Sequence, residues 1–223
     1  MSYANGPKIV TDGLVLCLDA ANRKSYPGSG DTLYDLSGNN RNGVRGGSQK
    51  PTWYSGYGGY FSFTGGVTAN NYTRIEVSNP AMTDMTIEVF YRPTGNGGTV
   101  FRQVQDDFHI TGNRVAAGNA YNDYNLSPST NNGLNVWVYN AITWNNLQTL
   151  RFYKNGIQTA SGTRSSQDTD GIAAGTVRIG TRSDAYSEHY VGDVAIFRMY
   201  DRTLAANEIK NNYDSLKGRY GLT

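Results

Sequence analysis

As far as residue 203, the chain is built from short runs of β-branched and aromatic residues, each bounded by Gly, Asn, Asp or Ser, at the spacing of a sandwich or barrel. The clearest runs are Leu14 to Leu18, Tyr60 to Phe63, Arg74 to Val77, Met85 to Tyr91, Val136 to Trp144, Leu150 to Lys154, Val177 to Gly180 and Val191 to Tyr200. Between Thr86 and Tyr91 the alternation is strict. Ile87, Val89 and Tyr91 fall on one face and Thr86, Glu88 and Phe90 on the other, which predicts a half-buried strand. Val138, Ile142 and Trp144 likewise share a face. Asn155-Gly156, between Leu150 to Lys154 and Ile157 to Ala160, predicts a tight hairpin because both residues accept positive φ. Asn96-Gly97-Gly98 predicts a looser hairpin between Tyr91 and Val100. Residues 20 to 58, broken by Pro27, Pro51 and paired glycines, and residues 117 to 135, dense in Asn, Tyr and Ser, read as loops.

The period changes at the end of the chain. Ile209, Tyr213 and Leu216 recur at i, i+4 and i+7, which predicts one short helix with Asn207, Lys210, Asn211 and Asp214 turned outward and Gly218 as its stop. A helix this short is marginal alone, so its apolar stripe must lie on the sandwich. Ala205 stands three residues before Glu208, where Ser or Thr would be needed for a reciprocal capping box, so that box cannot form. No repeat or linker divides the sequence. Residues 1–223 read as one domain, with 1–8 as an N-terminal arm and 204–217 as the closing helix.

Composition narrows the functional classes. Twenty basic against 18 acidic residues leave a net charge of +2, too little to serve as a footprint for phosphate backbones, so nucleic acid is excluded as a partner. No apolar stretch reaches the length of a membrane-spanning helix, and no membrane partner is expected. Met1 to Pro7 lacks the basic start and apolar segment of a signal peptide, so routine secretion is not indicated. Cys17, the single cysteine, lies in an apolar run and reads as a small buried hydrophobe rather than a reactive thiol.

Four segments carry a family resemblance. They are Asp12 to Ala20 with Ser25 to Gly30 and Tyr34 to Asn39; Tyr60 to Gly65 with Met85 to Pro93; Trp137 to Trp144 with Leu150 to Gly156; and Gly192 to Leu204 with Glu208-Ile209 and the tail Leu216 to Leu222. In order and spacing the chain resembles the laminin G-like, pentraxin-related branch of the concanavalin A-like lectins and glucanases, of the type found in bacteriophage virions. The resemblance implies an all-β fold, a two-sheet antiparallel jelly-roll sandwich with one short C-terminal helix. It departs from the family at Ala195 and Ile196, where members often carry an acidic pair, which puts a metal or ligand role at that place in doubt.

Against that background the chemistry of catalysis is sparse. The hydrolase branch needs carboxylates close together on a strand, yet the only glutamates are Glu76, Glu88, Glu188 and Glu208, and no Glu-x-Asp-x-x-Glu arrangement occurs. His109 and His189, the only histidines, have Asp107 and Asp184 nearby but no nucleophile elbow, and both read as surface residues. Gly28-Ser29-Gly30 and Gly56-Tyr57-Gly58-Gly59 lack the lysine of a phosphate cradle, and two His with one Cys exclude zinc in practice. No cofactor is expected. Calcium, which related lectins often hold, stays open through Asp106, Asp107 or Asp123, although solvated turn carboxylates are the simpler reading. Asn71-Tyr72-Thr73 and Asn125-Leu126-Ser127 fit the glycosylation pattern and read as chance matches in an Asn-rich chain.

Two aromatic clusters are the candidate binding residues. Trp53, Tyr54 and Tyr57, near Tyr60, suit core packing or a protein contact; Tyr121, Asp123, Tyr124 and Asn125 suit an exposed binding loop. The expected function is that of a non-enzymatic virion structural protein. It would be a capsid or tail decoration or adhesion module that binds other virion proteins, such as the major capsid protein or tail proteins, and host-surface glycans. It would reside in the virion after assembly in the host cytoplasm, with a homo-oligomer left open. The alternatives are a glycan-degrading enzyme, a glycosidase or depolymerase, and a soluble cellular lectin.

Overall fold

Two antiparallel sheets stack face to face in the computed structural model, which describes residues 8–47, 49–65, 72–95, 98–103, 108–111, 114–117, 133–145, 149–163, 172–181 and 189–223. The first sheet runs in the order β13 (Ile157–Thr163), β12 (Thr149–Lys154), β11 (Val138–Trp144), β7 (Met85–Pro93), β15 (Val191–Tyr200), β5 (Tyr60–Thr64) and β4 (Thr52–Tyr54). Its eighth strand, β1 (Leu14–Asp19), pairs with the C-terminal half of β15, while β5 pairs with the N-terminal half. The second sheet runs β10 (Arg114–Ala117), β9 (Phe108–Thr111), β8 (Thr99–Gln103), β14 (Gly175–Ile179), β6 (Thr73–Asn79), β3 (Gly43–Gly47) and β2 (Thr32–Leu33). This is the jelly-roll sandwich that the strand pattern and the resemblance imply.

The inner faces supply the main core. Leu16, Phe61, Ile87, Val89, Phe197 and Met199 from the first sheet meet Ile75, Val77, Phe101, Val177 and Ile179 from the second. The space left around Leu18, Phe61 and Ile179 is about 10 Å³, room for no more than a single water.

The outer face of the first sheet is covered as well. Helix α1 (Ala206–Asp214) lays Ile209 and Tyr213 on it, and the tail that follows adds Leu216 and Tyr220, over Phe90, Tyr139, Ile196 and Tyr200. The alternation in β7 predicts a half-buried strand, but Met85 to Tyr91 are all buried, because the face carrying Thr86, Glu88 and Phe90 lies under this third layer. Its polar members are partnered there. Thr86 Oγ1 donates to the Arg202 carbonyl at 2.8 Å and accepts from the Leu204 N–H at 2.9 Å, fixing the chain where it leaves β15 for α1.

Asn155 and Gly156 have φ of +49° and +77°, the positive pair of a two-residue hairpin turn joining β12 to β13. Asn155 also accepts from the Tyr139 N–H at 3.0 Å and donates its own N–H to the Tyr139 carbonyl at 2.8 Å, carrying the pairing with β11 one residue past the end of β12. A Cβ at Gly156 would lie 3.1 Å from the Tyr213 ring, so the bare turn is also what lets α1 dock.

Two local expectations are corrected. Asn96 and Gly97 lie outside the described residues, but β7 and β8 on either side belong to different sheets, so the connection crosses the sandwich and is no hairpin. β7 already pairs with β11 and β15, which leaves no free edge for β8. The stretch from 20 to 58 is not all loop either: β2, β3 and β4 form in it. At two of the three glycines of β3 the neighbours are close: a Cβ at Gly43 would stand 3.0 Å from Leu18 Cδ1 and 3.1 Å from Ile75 Cγ2, and one at Gly47 would stand 2.4 Å from the Tyr72 carbonyl oxygen.

Two polar anchors hold the N-terminal part of the chain, and the second reaches the tail. Asp35 accepts from the N–H groups of Cys17, Ser37 and Arg41, shaping the loop after β2. Both oxygens of Asp19 accept from Arg219 Nη1 at 3.0 Å, joining the start of the fold to its tail. Cys17 is 4% exposed, and burial pushes its thiol up to about 11 despite the neighbouring Arg198, as a packing residue requires.

Ala205 takes the extended conformation of an N-cap, and Glu208 Oε2 accepts its N–H at 2.8 Å. This is one arm of a capping box, since alanine has no side-chain acceptor for the other. Ala205→Ser is expected to stabilise the fold by about 1 kcal/mol, read from the urea midpoint; an unchanged midpoint contradicts the assignment.

Candidate functional site

At one end of the first sheet the outer covering stops, and a group of aromatic rings is left partly in water. Strand β4 alternates, so Tyr54 points outward while Trp53 points into the sandwich. Trp53 is therefore a wall of the core: its indole N–H donates to the Ala20 carbonyl at 3.0 Å and its ring lies 5.8 Å from Tyr26. Tyr54, 49% exposed, stacks on Tyr60 at 5.5 Å. Tyr57, 46% exposed, meets Trp137 edge-on at 5.5 Å, and Tyr60 meets the same indole at 5.7 Å.

Under these rings sits an ion pair. Arg92 on β7 and Asp193 on β15 stand opposite each other across the strand ladder. Arg92 Nε and Nη2 reach the same carboxylate oxygen, Asp193 Oδ2, at 2.8 and 2.6 Å. The guanidinium carbon lies 5.6, 5.4 and 5.2 Å from the centres of Tyr57, Tyr60 and Trp137, so three electron-rich ring faces share one cation. Burial alone works against the arginine's charge, but the hydrogen bonds and charge of Asp193 outweigh it and hold the group more firmly protonated than a free arginine. Asp193 is 4% exposed on its side chain against 21% for Arg92, so the pair faces water through a narrow opening.

The loop that presents Tyr57 is held under strain. Tyr57 has φ +52° and ψ +25°, a left-handed conformation that costs a non-glycine residue about 1–2 kcal/mol. Packing imposes it. A Cβ at Gly59 would lie 2.3 Å from the Ala20 carbonyl oxygen, and one at Gly58 would lie 3.2 Å from Ala21 Cβ, so the loop is pressed onto the residues next to Asp19 and its partner Arg219. On the other side, the Asn135 N–H donates to the Pro93 carbonyl at 2.7 Å, which brings the exposed Leu134 and Val136 to the rim beside Arg92. Chemically the site offers an apolar aromatic wall next to one donor and one acceptor group fixed in place.

Of the residues singled out in the sequence, Tyr54 and Tyr57 fall in this site and Trp53 does not. Tyr121, Asp123, Tyr124 and Asn125 lie outside the described residues, as do Asp106, Asp107 and Asn71. Ala195 lies at an irregularity in the β15 register, between Val194 and Ile196, and both Ala195 and Ile196 pack under the outer layer. His189 corrects the surface reading: it is 7% exposed, stacked on Tyr72 at 5.3 Å, with Nδ1 2.9 Å from Thr181 Oγ1, and burial lowers its pKa. Sequence reasoning missed Arg92, Asp193 and Trp137. Arg92 and Asp193 are 101 residues apart and meet only through strand pairing, so no local signal marks them.

Asp193→Asn leaves Arg92 without its counter-charge in a mostly buried place. The substitution is expected to destabilise the fold by about 1–3 kcal/mol in urea unfolding, and a midpoint equal to wild type would show that the pair is a solvated surface contact.

Comparison with known proteins agrees with this architecture. A search of curated proteins finds no relative by sequence. Domain 4 of AbnA, a GH43 extracellular arabinanase from Geobacillus stearothermophilus, solved with arabinotriose, superposes with TM-score 0.68 at 16% identity, covering 90% of this chain and 98% of that one. A botulinum neurotoxin type C structure, described as showing that cell entry depends on two ganglioside molecules, gives TM-score 0.68 at 17% identity and 93% coverage. The binding domain of botulinum neurotoxin DC in complex with SialylT gives 0.68 at 16% and 93%. The chain spans 52% of each of these toxin chains, so the likeness is to part of them and concerns the fold. The Laminin_G_3 family model matches residues 55–210, from the loop of Tyr57 to the middle of α1, and the chain therefore belongs to the concanavalin A-like lectin/glucanases superfamily.

Proposed function

We propose that this lectin-like domain is a non-enzymatic carbohydrate-binding module and that Tyr54, Tyr57, Arg92 and Asp193 are its contact residues. The observation that carries the reading is the half-exposed Tyr57 ring, held at positive φ beside a fixed ion pair at the uncovered end of the sheet. A pyranose has one apolar C–H face and a rim of hydroxyls, which an aromatic wall with an adjacent donor and acceptor matches. Two of the fold neighbours are described as complexes with arabinotriose and SialylT, which favours binding over other uses of the sandwich. Against hydrolysis, the glutamates among the described residues are tied to arginines: Glu76 to Arg74 and Arg178, Glu88 to Arg198 and Glu208 to Arg202.

The setting we infer is a bacteriophage virion, where the module would be displayed on head or tail in contact with other virion proteins and turned toward host-surface glycans. The leader and tail carry that resemblance, and the Asp19–Arg219 bond between them braces the Tyr57 loop. Peptides of this chain are expected in purified particles by mass spectrometry; particles lacking them would remove the virion setting and leave the glycan site in place.

The site is tested with Tyr57→Asn on a printed glycan array. Asparagine tolerates the left-handed conformation, so the melting temperature is expected to stay within about 3 °C of wild type. Array binding is expected to fall at least tenfold, as loss of about 1.4 kcal/mol requires. Full retention of binding by the folded variant would place any glycan elsewhere.

A further inference from the structure

Resting on the glycan-binding reading of this site, we propose that it selects an uncharged sugar and holds two neighbouring hydroxyls between Asp193 Oδ1 and Arg92 Nη1. The class of ligand follows from what the site has already satisfied. Three ring faces that would attract a cation are taken by Arg92. A cationic ligand would compete with a guanidinium that cannot leave, because both Nε and Nη2 are bound to Asp193.

An anionic ligand meets the opposite difficulty. Arg92 would accept a carboxylate or sulfate, but the Asp193 carboxylate is bonded to it at 2.6 and 2.8 Å and stands beside whatever reaches the guanidinium. Arg219, beside the Tyr57 loop, is paired with Asp19, its Nη1 reaching both carboxylate oxygens. Among the described residues, Arg92 and Arg219 are each matched by one anion, so these two pairs offer no net charge with which to draw an acid, and an acidic group would leave one carboxylate facing another.

A vicinal diol fits both groups at once. Arg92 uses Nε and Nη2, and Asp193 uses Oδ2, so the polar atoms left for a ligand are Nη1, a donor, and Oδ1, an acceptor. A hydroxyl both donates and accepts, so one of two adjacent hydroxyls gives its hydrogen to Oδ1 while the other takes one from Nη1. Carboxylates and sulfates only accept, and ammonium groups only donate.

The test is an array of neutral oligosaccharides beside their sialylated, sulfated and uronate counterparts, followed by calorimetry of the best neutral and acidic pair at 50 and 500 mM NaCl. Neutral glycans are expected to bind at least tenfold more tightly, with affinity changing less than twofold between the two salt concentrations. Asp193→Asn frees the charge of Arg92 and is expected to weaken neutral ligands tenfold while strengthening acidic ones. Should that variant not fold, Arg92→Lys keeps the charge and removes the fork, and a tenfold loss of neutral binding is expected. Wild-type preference for acidic glycans that fades with salt overturns the inference while leaving the glycan-binding reading intact. Binding of neither class by the wild type removes both.

Discussion

A carboxylate with almost no access to water sits in the middle of the first sheet, and the layer outside that sheet is organised around it. Glu88 is 1% exposed, and an unpaired carboxylate in such a place would be prohibitive. Its oxygens are met by Arg198 Nη1 at 2.9 Å, Tyr139 Oη at 2.6 Å and Asn212 Nδ2 at 2.7 Å, from β15, β11 and α1. Asn212 also donates to Tyr200 Oη and accepts the Val10 N–H, while Tyr200 donates to the Val10 carbonyl. The residues after the N-terminal arm, three central strands and the helix thus share one hydrogen-bonded network. Burial, then the charge of Glu88, pushes the Tyr139 and Tyr200 phenols up, so both remain protonated donors at any ordinary pH. Buried pairs of this kind are weak evidence for net stability, but removing one member leaves a charge stranded, which makes the register of helix on sheet hard to change.

That layer also defines where the site can be. Trp137 stands at its border, tilted against Tyr220 of the covered side at 4.9 Å and approached by Tyr57 and Arg92 on the open side. Phe90, stacked on Tyr220, continues the ring cluster inward toward the Glu88 network. The aromatic wall of the site is therefore the outer edge of a packed cluster and not a free-standing set of side chains. A wall fixed in this way loses little conformational freedom on binding, which is the condition under which small contact areas give useful affinity.

How much of this could be read from the sequence depends on the range of the interaction. The strands with strict alternation, the Asn155-Gly156 turn and the helical stripe of Ile209 and Tyr213 are local patterns and formed where their periods placed them, while Leu216 joins the same face from the tail, after the helix ends at Asp214. β2 and β3 escaped because their place is set by β6 beyond them rather than by their own apolar content, and glycine is present where Leu18 and Ile75 come close. The turn residues after Tyr91 suggested a hairpin, yet β7 has both edges occupied, a fact of topology that no local motif carries. Tyr54 and Tyr57 were visible as aromatics among glycines. Trp53, one residue earlier, faces the other way, and Arg92 with Asp193 joins the site only once β7 and β15 pair.

The most direct measurement is chemical-shift mapping of the isotope-labelled protein during titration with the best neutral glycan found on the array. Perturbations confined to the amides of residues 52–60, the Arg92 and Trp137 side-chain N–H signals and the amides around Asp193 are the expected result. Shifts that cluster instead on the strands of the second sheet, with the Arg92 and Trp137 signals unmoved, would contradict the placement of the site.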